Sequence, residues 1–365
     1  MRAVRINAFR LFASVTLVAL GLCIVAGFGA NPVRAADDPK DNSKDNPKTP
    51  LAIQFSLDRP IDAVATPVAM AAVSGLFGAE GLAVTTNIAS GSPDAIARVA
   101  AGTSDFALVD INALVRFRDK DKQGAPKVKA VFVLFNKAPY AIIARKSRGV
   151  SALPDLDGKT LGVTEGDLSV RMWPAVARLN GIKLASVKQS SISAAVREPM
   201  LSAGQIDAVT GFSYLAAINL RDRGIPADDL AVLKFADYGC EAYGFAVIVN
   251  PALAAARPEA VKGFVRAMIG GLRLTVKDPA RAVTEIVNRM EGGSRELEHE
   301  RLQSILRDNI LTAEVRRNGL GGIDPARFER SIDQAAEDFK FQKRPQAADI
   351  FDDQYLPPLN SRLIN

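Results

Sequence analysis

An α/β fold built from two similar lobes is what the sequence predicts, on three observations. Short apolar strand-like runs alternate with amphipathic helical stretches through the first two-thirds of the chain, as in sheets flanked by helices. The alternation restarts after residue 139, so a second lobe repeats the layout of the first in outline. The third observation is the stretch 90–110, SGSPDAIARVAAGTSDFALVD, in which a small polar entry, a short helix and a buried strand with a polar end follow one another. Ser92 suits an N-cap, Pro93 the first helical position, Asp94 the first turn and Gly102 the stop. Such units present helix starts and strand ends to a ligand. Taken alone, this one is equally an ordinary surface α/β unit.

The chain opens outside that fold. Arg2, Arg5 and Arg10 precede an apolar run over 11–28, and Val33 and Ala35 stand at the −3 and −1 positions of a small-residue cleavage site. This predicts an export signal peptide over 1–35, cut after Ala35, with an uncleaved anchor as the alternative. Leu22 before Cys23 argues against a lipoprotein, whose site needs Gly or Ala there. Removing the leader's four arginines from the 46 basic side chains leaves 42 against 40 acidic ones, a formal charge of +2. Near neutrality, with no basic stripe, excludes nucleic acid as the expected partner. Cys240 is then the sole cysteine, so no internal disulfide forms, and stability has to come from a large core. His299, the only histidine, lies in a charged helical stretch. A histidine zinc site, a Ser-His-Asp triad and a Cys-His pair are therefore not expected, and neither is any cofactor.

In chain order, 36–50 is a polar flexible linker rich in Lys, Asp, Asn and Pro. Strands are predicted at 51–57, 82–88, 106–110 and 128–135, with helices from Pro67 to 74, over the 90–102 unit and over 112–118. Residues 136–139 read as a crossover. The second lobe has strands at 140–144, 160–164, 184–188, 206–210 and 231–235, with helices at 168–179, 193–202 and 214–223. Residues 237–243, DYGCEAY, read as the return crossover, and 245–249 as a strand rejoining the first sheet. Helices at 258–277, 278–290, 297–311 and 325–341 form a helical C-terminal extension expected to pack around the first lobe, followed by a docking tail at 343–365.

Six stretches stand out in order: GLFGAEGLAV (75–84), the 90–110 stretch, LPDLDGKTLGV (153–163), LSAGQIDAVTGF (201–212), DYGCEAYGFAVIVN (237–250) and the helix PEAVKGFVRAMIGGLRLTVKDPARAV (258–283). Together they resemble the periplasmic substrate-binding proteins of ABC importers in the NMT1/THI5-like group. The resemblance covers residues 51 to about 340, in family order. It implies a type II periplasmic binding protein with central mixed sheets and two crossovers, binding its solute between the lobes. The expected boundaries are 51–137 plus 240–342 for lobe I and 138–239 for lobe II. The group includes binders of aliphatic sulfonates, taurine, nitrate and thiamine-pyrimidine precursors.

The resemblance implies contacts at strand ends and helix starts. In lobe I these are Asp62 and Thr66 beside Pro67, then Ser90, Gly91 and Ser92, then Asp110 and Asn112. The alternatives are a plain loop, simple capping and an exposed turn. In lobe II they are Thr164, Glu165, Gly166, Asp167 and Ser169, with the acids alternatively exposed helix-start charges. Phe212 or Tyr214 is placed to stack on a ring or to pack in the core. Tyr238 and Tyr243 lie in the return crossover, where the Tyr-Gly pair resembles the pyrimidine-precursor binders and Tyr238 serves as hinge and aromatic wall. Trp173 and Cys240 read as packed. The candidate loops carry Asp62, Asp110, Glu165, Asp167, Asp237 and Glu241, and no arginine but Arg59. This composition favours a pyrimidine-like or amine-bearing solute over sulfonate, taurine or nitrate.

The expected role is an extracytoplasmic, monomeric solute-binding protein. Its partners are a small-molecule solute and an ABC permease in the inner membrane, with no nucleic acid. No GxxxxGK[ST] is present, so ATP hydrolysis falls to another subunit. A ligand-presenting sensor is the second reading. A pyrimidine-synthase-like enzyme is the third, opposed by the lack of placed histidine and cysteine.

Overall fold

The computed structural model describes residues 49–119 and 127–364. The predicted signal peptide, Cys23 and most of the linker lie outside the described residues. Among the described residues ten strands follow one another: β1 Leu51–Leu57, β2 Leu82–Ile88, β3 Phe106–Asp110, β4 Lys129–Val133, β5 Tyr140–Arg145, β6 Thr160–Val163, β7 Lys188–Ser191, β8 Ala208–Phe212, β9 Leu230–Lys234 and β10 Phe245–Val249. They form two five-stranded sheets, ordered β2-β1-β3-β10-β4 and β7-β6-β8-β5-β9.

Each sheet is mixed, and for the same reason. In the first, β10 returns from the second lobe and pairs antiparallel with both β3 and β4. In the second, β5 enters from the first lobe and pairs antiparallel with both β8 and β9. The two strands that carry the chain across are therefore the antiparallel ones. The remaining pairings, β1 with β2 and β3 and β6 with β7 and β8, are parallel, as helical crossovers require.

β3 and β10 are buried along their whole length, which explains their unbroken apolar runs. β7 departs from expectation. Residues 184–186 form a 3₁₀ turn, and the strand lies at Lys188–Ser191, KQSS. It is a polar edge strand with no buried face, so the apolar pattern pointed a few residues too early. The helix expected over 297–311 is α-helical for Arg295–Ile305 and continues as a π-turn, Leu306–Ile310. The expected helix at 193–202 begins as a 3₁₀ turn, Ala194–Val196, and is regular only for Arg197–Ala203.

The first lobe's core is aromatic at its centre: Phe264, on helix Pro258–Lys277, stacks on Phe106 of β3 with centroids 4.1 Å apart. That helix lies so close to helix Thr66–Val73 that a Cβ on Gly271 would overlap the Pro67 carbonyl and the Ala71 backbone. Gly271→Ala is expected to destabilise the fold by about 1–3 kcal/mol, because backbone rather than a flexible side chain has to move. A urea titration against wild type measures it, and a change within error would mean that the two helices slide apart freely.

The C-terminal extension is not confined to the first lobe. Helix Pro325–Phe339 also packs on helix Leu168–Leu179 of the second, where Arg178 pairs with Glu337 at 2.5 Å and Arg171 with Asp338 at 3.4 Å. The tail docks on the first sheet: Phe351 bridges to Ala130 of β4, and the Asp352 N–H donates to the Ala130 carbonyl at 2.9 Å.

Candidate functional site

A cleft of about 600 Å³ lies where the two sheets face each other. Its first-lobe wall comes from Asp58 and Arg59 after β1, Gly91 to Pro93 and Ile96 on helix Ser92–Ala101, Asp110 at the end of β3, and Ala113, Arg116 and Phe117 on helix Ile111–Asp119. The second-lobe wall comes from Thr164, Gly166, Asp167 and Leu168 after β6, Ala194 and Arg197, and Phe212 and Leu215 at and beyond the end of β8. Polar and apolar side chains are equally many, but the surface they turn to the cleft is mostly apolar, as in pockets that take small organic molecules.

The floor is a chain of satisfied polar groups. Arg59 forks onto Asp58, Nε to Oδ1 at 2.8 Å and Nη2 to Oδ2 at 3.0 Å. Its guanidinium also lies 4.3 Å from the Phe245 ring centroid and 5.1 Å from that of Phe212. The Ser92 hydroxyl donates to Asp58 Oδ2 at 2.6 Å and accepts the Asp110 N–H at 3.1 Å. Gly91, at φ 94°, occupies the N-cap, so Ser92 stands one position further in than expected and its hydroxyl serves the floor rather than the helix end. Asp110 accepts from the Tyr140 hydroxyl at 2.6 Å and from the Asn112 N–H at 2.9 Å. The Asn112 amide reaches the Tyr140 hydroxyl at 2.9 Å and the Tyr243 carbonyl at 2.7 Å. One residue pair, Asp110 and Asn112, thus joins the first sheet to the start of β5 and to the return crossover. Burial pushes the Asp110 carboxyl up to about 6, against the pull of its hydrogen bonds from Tyr140 and Asn112.

Of the sequence-predicted contacts, the cleft brings together Gly91, Ser92, Asp110, Thr164, Gly166, Asp167 and Phe212. The Thr164 hydroxyl is buried with no hydrogen-bond partner among the described residues. The others stand elsewhere, each for a physical reason. Asp62 caps a 3₁₀ turn through the Val64 N–H at 2.9 Å, and burial raises its carboxyl to about 6. The Thr66 hydroxyl is buried and donates to the Ala63 carbonyl at 2.8 Å. Ser90 is exposed, its N–H on Asp94 at 2.8 Å, and Glu165 is also exposed. Asn112 is buried behind Asp110. The Ser169 hydroxyl and N–H both go to Asp167, the N-cap of its own helix.

The tyrosines also lie off the lining. Tyr214 is buried behind Phe212, with ring centroids 6.0 Å apart, so it backs the aromatic wall. Tyr238 ends a 3₁₀ turn packed on the second-lobe core, and its carbonyl accepts from Asn180 at 2.9 Å. Tyr243 is buried: its hydroxyl donates to Glu314 at 2.6 Å, and the Arg327 guanidinium covers its ring at 4.0 Å.

The charge expectation needs correction. Asp110 and Asp167 line the cleft together with Asp58, but Asp62, Glu165, Asp237 and Glu241 do not, and Glu241 is taken up by Arg330 at 2.6 Å. Three arginines do line it: Arg59, Arg116 and Arg197. The preference for an amine-bearing solute therefore loses its basis. Arg116 and Phe117 escaped notice because they lie in the second turn of a helix, beyond the loop that the strand-end rule singles out. Arg197 was hidden in the irregular entry to helix Arg197–Ala203.

Comparisons with known proteins agree with this architecture. A riboflavin-binding protein, RibY, of Chloroflexus aurantiacus is 29% identical over 280 residues, covering 73% of this chain and 74% of its own. A 4-amino-5-hydroxymethyl-2-methylpyrimidine phosphate synthase of Legionella pneumophila is 26% identical over 217 residues, covering 60% of this chain and 67% of its own. Among solved structures, the periplasmic aliphatic sulphonate binding protein SsuA of Escherichia coli superposes with a TM-score of 0.65 at 13% identity, covering 81% of this chain and 95% of that one, so the periplasmic binding-protein fold is shared. The NMT1/THI5 like family model matches residues 62–282, a span that holds most of the cleft lining and both crossovers, and the chain belongs to that family.

Proposed function

We propose that this is an extracytoplasmic solute-binding protein that captures a flat heteroaromatic compound of the pyrimidine or flavin class and hands it to an ABC permease. The carrying observation is the cleft: about 600 Å³, with Phe117 and Phe212 among its aromatic walls and a floor whose hydrogen bonds are already satisfied. That floor favours a ligand held by ring contact and a few donors. The names of the riboflavin-binding and pyrimidine-phosphate relatives point the same way. Export fits the reading: the leader is cut near Ala35, the mature protein works in the periplasm as a monomer, and no helix among the described residues is long and apolar enough to cross a membrane.

The role is carriage rather than catalysis. Cys240 is buried, its thiol pushed up to about 11 by burial, and His299 sits on helix Arg295–Ile305 away from the cleft lining. The three cleft arginines favour one second reading, an aliphatic sulfonate ligand. Native mass spectrometry of freshly purified protein, followed by calorimetry with riboflavin, 4-amino-5-hydroxymethyl-2-methylpyrimidine, taurine and nitrate, separates the two. Saturable binding of a ring compound without turnover is the expected result. Tight taurine or nitrate binding with no ring compound bound would sink it.

A further inference from the structure

The three arginines of the cleft are not equivalent. Arg59 is forked onto Asp58 at 2.8 and 3.0 Å. Arg197 donates to Glu198 at 2.9 Å and lies 3.5 Å from Asp167. Arg116, on helix Ile111–Asp119, has no carboxylate partner among the described residues and rests on the Phe339 ring at 5.3 Å. A ring contact holds a guanidinium by one face and leaves its N–H edges for an acceptor. The remaining acid of the first-lobe wall, Asp110, is buried and occupied by Tyr140 and Asn112. Among the described residues, Arg116 is therefore the one arginine of the cleft lining with no carboxylate partner.

From this geometry we infer that the solute bears an anionic arm, a phosphate monoester, which Arg116 receives while the ring lies between the aromatic walls. The inference rests on the heteroaromatic reading above and sharpens it. A guanidinium matches two oxygens of a phosphate at once, so the free fork suits that group better than a neutral hydroxyl. The Thr164 hydroxyl, buried at the cleft with no partner among the described residues, is a second polar group on the opposite wall for the ring or its arm to satisfy.

Two ring pairs test it: riboflavin with riboflavin 5′-phosphate, followed by flavin fluorescence, and 4-amino-5-hydroxymethyl-2-methylpyrimidine with its phosphate, followed by calorimetry. For whichever pair binds, the ester is expected to bind at least about tenfold more tightly than its parent at low salt. That ratio should shrink as salt is raised to about 0.5 M. It should collapse to about one in Arg116→Gln, while Arg116→Lys retains part of it. Because each result is a ratio measured on one protein sample, a partly folded variant does not mimic it. Equal binding of ester and parent by wild type, or an unchanged ratio in Arg116→Gln, overturns the anionic arm and leaves the heteroaromatic reading standing. Failure of all four compounds to bind overturns both.

Discussion

Arg59→Met should cost the fold about 3–5 kcal/mol and abolish solute binding. The Asp58 side chain is only 4% exposed and has two partners, the Arg59 fork and the Ser92 hydroxyl. Removing the guanidinium leaves a buried carboxylate with one hydroxyl donor, and breaking a buried pair from one side carries a penalty of about that size. Methionine keeps much of the aliphatic volume against Phe212 and Phe245, so the loss reports charge rather than a cavity. The double variant Asp58→Asn with Arg59→Met should recover a large part of the stability, since the orphaned charge is gone. Urea unfolding of the four proteins of this cycle measures it. A single-variant loss below about 1 kcal/mol would mean that water already solvates Asp58, and the floor would then not be the rigid plate described above.

How much of this was legible in the sequence depends on what each feature rests upon. β1, β2 and β10 and the helix Pro258–Lys277 were readable to the residue, because apolar periodicity and Pro or Gly boundaries agree there. β7 was misplaced because an exposed edge strand of KQSS carries no burial signal. At the site, strand-end logic reached Asp110, Gly91, Ser92, Thr164, Gly166, Asp167 and Phe212, all of which lie within a few residues of a strand's C-terminal end. It overreached at Tyr243 and Asn112, which sit at equally suggestive positions but face the hinge. Whether a side chain turns to the cleft or behind it is set by packing from Glu314, Arg327 and Tyr140, and these are distant in sequence. Arg116 was invisible for a related reason: the charge that matters is the one with no carboxylate partner among the described residues, and pairing is a tertiary property.

That same hinge packing leads to an unusual dependence of stability on pH. Burial holds the Asp110 carboxyl at about 6 in the folded protein, against about 3.9 in an unfolded chain. Between those values the folded form keeps a proton that the unfolded form has released, so stability falls as pH rises from about 4 to about 6. The full effect of Asp110 is about 3 kcal/mol, and Asp62, also raised to about 6, acts in the same direction. Asp229 acts oppositely: hydrogen bonds from Ser147 and Arg145 lower it to about 2, so its contribution is present above pH 4 and lost as pH falls from about 4 towards 2. Urea midpoints measured from pH 3 to 8 should therefore peak near pH 4 and decline between about pH 4 and 6. Asp110→Asn should flatten the declining limb, leaving the part due to Asp62. Tyr140→Phe removes the hydroxyl that favours the ionised form, so it should carry the decline to higher pH. A wild-type stability that is level or rising between pH 4 and 7 would show instead that Tyr140 and Asn112 hold Asp110 ionised. The junction of the two lobes would then be a permanent anion site rather than one that exchanges a proton between pH 4 and 6.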